Sequence, residues 1–454
     1  MQLKQRSARQ IALALTQASA VLLGSTGIAQ AAVEDTSSTA TPVNFSTLME
    51  RGWLVDSAVL AYQEADSRVQ AIEPSVRVQK DFGDQRVLNA KLVIDSLTGA
   101  SPNGATSATV PQTFTSPSGG QTYTTNAGEL PLDDEFKDTR VALSAGWQQP
   151  ISSDTKISVG GNLSNEYDFR SIGANASIAR DYNQKNTTLS AGLAFELDQI
   201  DPVGGAPVAL TSNAAQQKQG GDNKTVIDLL VGMSQVLNRH ALLQVNYSLS
   251  LMNGYQTDPY KVLSAVDANG NLVNDPTTAG RQLYLFEARP DTRTRHSLFG
   301  ELKYGFERGD VLTTSYRFTS DDWGIQSHTL DAKYRYVFGD KYFVEPHVRY
   351  YTQTAADFYK SYLVQGQDFN INAGKIDPLV SEASADSRLG AFNATTVGVK
   401  LGMSLPHDRE LSLRVEQYDQ TAQDVKPIGG QLAGQTLQPD LSATFVQLGY
   451  TFKW

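Results

Sequence analysis

Long segments in which apolar residues alternate with polar or small residues most constrain the fold of this chain. In 187–197 and 240–252, most of the residues at alternate positions are apolar, and the residues between them are mostly Ser, Thr, Asn, Gln or Gly. Strands of soluble sandwiches also alternate, but they are usually about 5–6 residues long. A tilted strand that crosses a bilayer needs about 9–11 residues. The lengths therefore predict a transmembrane β-barrel.

The alternating segments predict sixteen strands, an even number as in single-chain bacterial barrels. The first, Trp53 to Glu64, does not assign a clean apolar face. The predicted fold class is all-β, a transmembrane antiparallel β-barrel of about sixteen strands. The predicted strands lie at 53–64, 72–80, 86–96, 139–148, 155–165, 169–180, 186–197, 224–237, 240–252, 293–307, 311–320, 325–338, 342–354, 389–403, 409–419 and 442–454.

The connections between these segments alternate in length. Short ones, such as Arg308-Gly309-Asp310, follow even-numbered strands, and the long ones follow odd-numbered strands. Outer-membrane barrels have short periplasmic turns and long extracellular loops. The pattern predicts that both ends of the barrel chain are periplasmic. The long connections cover 97–138, 198–223, 253–292, 355–388 and 420–441.

The first 31 residues have the pattern of an export signal. A basic start is followed by a mostly apolar stretch from Ile11 to Ile28 and by the A-x-A site Ala29-Gln30-Ala31. We expect a signal peptide at 1–31, a flexible periplasmic segment at 32–52 and the barrel at 53–454. The predicted location is the outer membrane of a Gram-negative bacterium, in contact with lipid and lipopolysaccharide.

The last strand ends in an alternating aromatic pattern that resembles the C-terminal signal read by the barrel-assembly machinery. Its residues are Gly449, Tyr450, Phe452 and Trp454. We therefore expect that machinery to be a partner of the chain during insertion.

Composition narrows the chemistry. The chain has no Cys, so disulfides, thiol catalysis and Cys-ligated metal sites are excluded. A formal net charge of -10 argues against nucleic acid as a partner. Ser327 and His328 are adjacent, yet neighbours on a strand point to opposite faces and cannot act together. No common catalytic motif is present, and we predict no enzyme activity, no cofactor and no metal site.

Charged residues occupy the phase of the predicted strands that is opposite to the apolar phase. Charges on a lipid-facing wall cost about 2–4 kcal/mol at the bilayer midplane, so these residues are predicted to line the lumen. They could form an ion-pair lattice that braces the barrel, or they could line a solute path. They are Arg295, Glu301, Lys303, Arg317, Asp331, Lys333, Arg335, Glu345, His347, Arg349, Glu410, Arg414 and Glu416.

Two loop features have alternative interpretations. The segment Leu97, Thr98, Gly99, Ser101, Pro102, Asn103 and Gly104 could enter the lumen as a constriction, or it could be a packed surface loop. Acidic loop residues such as Asp133, Asp258 and Asp322 could hold Ca²⁺, but they lack EF-hand spacing and are more simply solvated charges.

Several loop motifs resemble those of a family of uncharacterised Gram-negative outer-membrane proteins that is classed only as a domain of unknown function. The motifs are Leu97-Thr-Gly-Ala-Ser-Pro-Asn-Gly-Ala105, Asn186-Thr-Thr-Leu-Ser-Ala-Gly192, Asp258-Pro-Tyr-Lys261, Arg289-Pro-Asp291, Asp321-Asp-Trp-Gly-Ile325 and Ala355-Ala-Asp-Phe-Tyr359. The resemblance implies an outer-membrane barrel without an established activity. It also implies periplasmic partners, because family members are often encoded beside a flavin-attaching transferase, a lipoprotein and a thioredoxin-like protein.

Three functional hypotheses follow. The first is a narrow channel or transport conduit for a small solute. The second is a non-conducting scaffold that docks periplasmic partners, and the third is an outer-membrane enzyme, for which no residue pattern argues.

Overall fold

A computed structural model describes residues 52–65, 68–116, 122–339, 341–423 and 426–454. The predicted signal peptide at 1–31 and nearly all of the predicted segment at 32–52 lie outside the described residues.

Sixteen antiparallel strands form a closed barrel, which confirms the predicted fold class and strand number. Each strand pairs with the next along the chain, and the ring closes where Ala58 pairs with Gly449. The strands are β1 (Trp53–Glu64), β2 (Val69–Asp81), β3 (Val87–Pro102), β4 (Leu132–Pro150), β5 (Thr155–Asn165), β6 (Phe169–Tyr182), β7 (Thr187–Ile200), β8 (Asp222–Val236), β9 (Ala241–Gly254), β10 (Thr292–Gly305), β11 (Val311–Asp321), β12 (Gln326–Phe338), β13 (Tyr342–Gln353), β14 (Phe392–Leu405), β15 (Arg409–Ala422) and β16 (Leu441–Lys453).

The outer surface carries exposed apolar side chains at every second position. Val159, Leu193, Val231 and Val397 are each at least half exposed, and rows like these continue around the wall. A surface of this kind is unfavourable in water and suits a hydrocarbon solvent. Among the described residues, no helix has the length and apolarity needed to span a bilayer.

Aromatic side chains form a belt on the outer surface near the short connections. Tyr304, Phe306 and Tyr334 contact one another in sequence, with ring centroids 4.9 and 5.9 Å apart. Phe338 and Tyr342 continue the belt with stacked rings 5.8 Å apart. Such girdles mark the interfacial level of membrane barrels.

The ambiguous face of β1 has a physical explanation. Val59 points outward and is 47% exposed, whereas Leu60 and Tyr62 point inward and pack with Phe392 and Phe445. The rings of Tyr62 and Phe445 are 4.9 Å apart. Because both faces of β1 carry apolar residues, alternation could not assign them.

Two ends of the barrel can be distinguished by their connections. At the short-turn end, β2–β3, β10–β11 and β14–β15 are joined by tight turns, and Gly309 in one of them has φ +95°, which favours glycine. At the long-loop end, the long connections follow the odd-numbered strands β3, β7, β9, β13 and β15, which confirms the predicted parity.

Candidate functional site

The predicted lumen residues all lie on the inward phase of β10–β13 and β15, opposite the exposed apolar rows. Tyr316, Leu330, Val348 and Leu413 mark the outward phase of four of these strands. Cross-strand register places Asp331 beside Arg349 and Lys333 beside His347, so opposite charges and hydrogen-bonding groups are neighbours. The structure therefore brings the predicted residues into one lattice.

His347 is at the centre of this lattice and is 4% exposed. Its Nε2 atom lies 2.7 Å from the Asp331 carboxylate and its Nδ1 atom lies 2.8 Å from Glu416. Arg349 Nε donates to the same Asp331 oxygen at 2.9 Å. Both ring nitrogens are occupied by carboxylates, so the imidazole is not placed to take a proton from a hydroxyl nucleophile.

A second part of the lattice is built on an aromatic ring. Phe343 packs against Gly402, where any side chain at residue 402 would collide with the ring. The Arg335 guanidinium lies over the Phe343 ring, 3.5 Å from the ring centroid, and its Nη2 atom is 3.6 Å from Glu410. Lys400 Nζ is 5.7 Å from the same ring. Sequence reasoning missed Lys400, although its inward phase on β14 could have identified it.

The wall formed by β4–β7 is very different. In the middle of these four strands, every inward residue is Gly, Ala, Ser, Thr or Asn. These positions are Ala142, Ser144, Gly146, Ser158, Gly160, Asn162, Ser164, Ser171, Gly173, Asn175, Ser177, Ala179, Thr188, Ser190, Gly192 and Ala194. This part of the wall therefore carries only small side chains and no charge, and we call it the low wall.

The Asn side chains on and beside this wall lie flat against it. Each is paired in register with a glycine on the next strand, as Asn162 is with Gly173 and Asn175 with Gly160. A Cβ atom at Gly173 would collide with the Asn162 amide. Asn89 and Gly146 repeat the arrangement on β3 and β4. Glycine thus leaves room for the amide groups to lie along the wall instead of projecting into the lumen.

The predicted constriction loop differs from expectation. Leu97, Thr98, Gly99, Ser101 and Pro102 belong to β3, and only Asn103 and Gly104 follow the strand. The predicted start of the loop at residue 97 was therefore wrong. The ladder with β4 continues beyond a register shift between Gly99 and Ser101.

Asn103 and Gly104 enter a folded roof. Asn103 Nδ2 donates to Tyr123 Oη at 2.8 Å, and a Cβ atom at Gly104 would meet Val262 and Ala385. We call the packed part of the long connections the cap: residues 103–131, 201–221, 255–291, 354–391 and 423–440, where described.

The cap has a hydrophobic core of its own. One cluster joins Leu210, Leu263, Leu285, Leu363 and Phe369, which come from three different connections. A second cluster includes Ala105, Phe114 and Phe286. These connections leave the barrel at β3, β7, β9 and β13, which are spread round the ring, so the cap covers the mouth at the long-loop end.

A buried ion network ties the cap together. Glu287 and Asp386 are 0% and 1% exposed, and Arg289 bridges them at 2.6 and 2.8 Å. Arg388 joins Asp386 at 2.5 Å to Asp258 at 2.9 Å. The motifs around residues 258–261 and 289–291 therefore meet in space, together with Asp386 and Arg388, which sequence reasoning did not single out.

The ionisation of this network is set by competing effects. Burial opposes the charged form of Asp386, but Arg388, Lys261 and Arg289 outweigh burial and hold its pKa well below the ordinary value. For Glu287, burial dominates and raises the pKa in spite of Arg289. The network is thus anchored by the charged Asp386.

A further motif packs at the edge of the cap. Trp323 and Ile325 form a cluster with Ala356, Phe358 and Leu389, so the motifs at 321–325 and 355–359 meet. Trp323 Nε1 donates to the Thr292 carbonyl at 2.8 Å, and the Arg293 guanidinium lies 4.3 Å from the indole centroid. Arg293 also forms an ion pair with Asp321.

Ser327 and His328 lie on opposite faces of β12. Ser327 is inward and 7% exposed, whereas the His328 Nδ1 atom is 2.7 Å from Tyr316 Oη on the outer surface. Within the described part of the chain, no cluster of three or more His, Cys, Asp or Glu side chains has a metal-binding arrangement.

The residues of the predicted assembly signal are in β16 and just after it. Tyr450 and Phe452 point outward with stacked rings 5.5 Å apart, and Gly449 points inward. Trp454 is 83% exposed, and its backbone pairs with Trp53 through two hydrogen bonds of 2.7 and 2.8 Å. Recognition of this segment by the assembly machinery stays a prediction.

A family model described as "Protein of unknown function (DUF3570)" matches residues 12–452. No curated protein sequence matches the chain.

Solved structures of several outer-membrane proteins are similar to the chain at the level of the fold. The siderophore receptor PirA from Pseudomonas aeruginosa is 11% identical with a TM-score of 0.37, and the match covers 87% of this chain and 62% of the receptor. A bacterial polysaccharide outer membrane secretin is 9% identical with a TM-score of 0.41, covering 88% and 98%. The CymD monoaromatic hydrocarbon channel is 9% identical with a TM-score of 0.38, covering 91% of both chains. The chain thus spans about three-fifths of the receptor's length.

Proposed function

The chain belongs to the DUF3570 family of unknown function, and from this premise we propose that it is a narrow conduit for a small polar solute across the outer membrane. The passage runs along the low wall of β4–β7. The long-loop end faces the exterior and the short turns face the periplasm.

The observation that carries this proposal is the asymmetry of the lumen wall. Large charged side chains cluster on β10–β15, where Lys333, Glu345 and His347 are each less than 9% exposed, so that side of the lumen is filled. In the middle of β4–β7 the inward residues are no larger than Asn. A barrel of sixteen strands is wide enough to hold an aqueous channel. Space therefore remains beside the low wall, and its hydroxyl and amide groups can replace the hydration of a polar solute.

The ion-pair lattice and the passage are compatible under this proposal. The lattice braces one side and satisfies its own charges, as the contacts of His347 with Asp331 and Glu416 illustrate. In its middle, the other side carries only small uncharged side chains. The two interpretations of the predicted lumen residues then describe two sides of one pore.

The passage can be tested by narrowing it at a single position. Ser177 points inward on β6, between Ser158 and Gly192 on the neighbouring strands, while Ala176 points outward. Ser177→Trp should lower single-channel conductance by about half or more, because an indole adds a group of about 150–250 Å² to the passage. The matched control Ala176→Trp adds the same group on the lipid-facing side and should leave conductance unchanged.

Deletion of residues 106–128 removes part of the cap and provides the second arm of the test. If wild-type protein and the deletion variant are both silent in planar bilayers while remaining folded and heat-modifiable, the conduit proposal fails. The scaffold hypothesis, in which periplasmic partners dock at the short turns, would then take its place.

A further inference from the structure

Three inward asparagine side chains lie over glycines of a neighbouring strand. The pairs are Asn89 on β3 with Gly146 on β4, Asn175 on β6 with Gly160 on β5, and Asn162 on β5 with Gly173 on β6. A Cβ atom at Gly146 or at Gly160 would lie 3.1 Å from the facing amide, and one at Gly173 would collide with the amide above it. The three amide groups therefore lie above β4, β5 and β6, one on each strand, and we call them the amide patch.

The hydrogen-bonding capacity of the amide patch is not used by the protein. Each amide offers two donor positions and an acceptor oxygen. Within the described part of the chain, the side chains of Asn89, Asn162 and Asn175 form no hydrogen bond, and all three are half-buried on the lumen side. Because Gly146 and Gly160 are directly paired on adjacent strands, the amides above them are about one strand spacing apart, on the order of 5 Å. Two amides can therefore contact one small solute.

A fourth pair extends the same arrangement beyond the low wall. Asn246 on β9 faces Gly232 on β8, and a Cβ atom at Gly232 would lie 2.7 Å both from Asn246 Oδ1 and from Ser190 Oγ on β7. Asn246 is 5% exposed, and its Nδ2 atom has no hydrogen-bond partner among the described residues. Buried polar groups in proteins are nearly always hydrogen-bonded. This buried donor beside Ser190 therefore points to a polar group from outside the chain at the wall.

The amide patch carries no charge, and the charged side chains that flank it interact with groups of opposite sign. At one edge, Lys91 on β3 interacts with Glu73. At the other edge, Glu196 on β7 interacts with Lys224, whose Nζ atom is also 2.8 Å from Asp198. An ion that loses hydration at the patch finds no opposite charge there, which is costly. An uncharged solute that replaces its hydration with hydrogen bonds avoids this cost.

We propose that the amide patch binds small uncharged polyols, such as sugar alcohols, as they pass through the lumen. This inference rests on the proposed conduit and specifies its substrate class. Every hydroxyl of a polyol both donates and accepts, so it can pair with the N–H and the C=O of an amide alike. The serine hydroxyls of the low wall offer the same two functions above and below the patch, so the solute can exchange partners as it moves.

The test measures uptake of radiolabelled sorbitol, an uncharged polyol, into proteoliposomes that contain the full-length mature protein. Unlabelled sorbitol should compete with the label, whereas gluconate, which has the same number of carbon atoms and one carboxylate, should compete about fivefold less well. The double variant Asn162→Leu with Asn175→Leu removes two amides at nearly constant size and should lose the competition. Asn162→Ser with Asn175→Ser cannot overpack the wall and should lose it as well. Heat-modifiable mobility shows that each variant is folded.

A matched control removes an amide outside the lumen. Asn165 is on the same strand as Asn162 but points outward, so Asn165→Leu should leave the competition at the wild-type level. Uptake that unlabelled sorbitol does not reduce, equal competition by gluconate, or competition that persists in both folded double variants overturns the polyol site and leaves the conduit standing. Absence of sorbitol uptake by a protein that conducts ions in planar bilayers has the same meaning. Absence of both uptake and conductance overturns the conduit as well.

Discussion

At the scale of residues, glycine and asparagine shape one side of the lumen and ion pairs shape the other. The glycines opposite Asn162 and Asn175 make room for amide groups along the wall. The glycine at 402 makes room for the ring of Phe343, which in turn supports Arg335. In each case glycine has no side chain, and the space that this leaves determines where a polar group can lie.

Gly402→Ala tests this role by adding a single methyl group. The new Cβ atom would collide with the Phe343 ring, so the ring and Arg335 must shift. Overpacking of this kind costs about 1–3 kcal/mol. We expect a lower heat-modification midpoint in detergent, whereas Gly300→Ala, where the added atom would come no closer than 4.0 Å to a neighbour, should match wild type. An unchanged midpoint for both variants would contradict the packing described for β13 and β14.

Glu166 in the β5–β6 turn is expected to make ion selectivity depend on pH. Burial, together with Asp138, Asp168 and Asp95, raises its pKa to about 7 in spite of Arg140. The carboxyl is neutral below this pKa and charged above it, so the lumen wall at the β5–β6 turn gains negative charge as pH rises. The ratio of cation to anion permeability should therefore increase between about pH 6 and pH 8.

Reversal potentials in a salt gradient measure this change, and Glu166→Gln should flatten it. The same raised pKa means that the folded protein holds the proton more tightly than the unfolded chain. The contribution of Glu166 to stability is therefore greatest at low pH and is lost as pH rises toward 7. A wild-type permeability ratio that is flat across this range would contradict the assignment of Glu166 to the lumen wall.

At the scale of elements, alternation predicted the strands well because lipid and lumen impose opposite polarity on successive residues. It left β1 unassigned because Leu60 and Tyr62 pack inside the barrel, where aromatic side chains of β14 and β16 meet them. It ended β3 too early because the motif after residue 96 is rich in Gly, Ser and Pro, while the ladder with β4 persists past a bulge to Pro102. The contacts between loops, such as Arg388 with Asp258, have no periodic signature and could not be predicted.

The closing strand is an element whose loss should prevent assembly. β16 pairs with β1 and β15, so removal of Phe452–Trp454 shortens both ladders at the short-turn end and removes the outward Phe452. Unpaired backbone groups are untenable in lipid. The truncated chain should remain in the periplasm as a protease-sensitive species without heat-modifiable mobility. A matched control, Trp454→Phe, retains a terminal aromatic and should insert normally; normal insertion of the truncated chain would rule out this role for the segment.

At the scale of the whole molecule, the barrel and the cap are two structures with different stabilising interactions. The barrel is held by a continuous ladder of backbone hydrogen bonds. Lipid offers the backbone N–H and C=O groups no other partners, so they remain paired within the ladder. The cap is held by buried apolar clusters and by the network of Glu287, Arg289, Asp386 and Arg388. A change that loosens the cap should therefore leave the barrel intact.

The variant Asp386→Asn tests whether the cap can be loosened while the barrel stays intact. The carboxylate forms ion pairs with Arg289 and Arg388, and its loss leaves the buried Arg289 guanidinium and the partly exposed Arg388 guanidinium with less compensation. Removing one partner of a buried ion pair costs about 3–5 kcal/mol. Because that cost falls on the cap alone, the variant should keep the heat-modifiable mobility of the barrel. It should also show higher mean conductance and faster protease cleavage within 255–291 and 354–391.

Asp267→Asn, at an exposed turn of the same cap, is the matched control and should behave like wild type. If Asp386→Asn unfolds the barrel as well, the two structures are one cooperative unit; if it leaves both conductance and cleavage unchanged, the network does not hold the cap over the mouth.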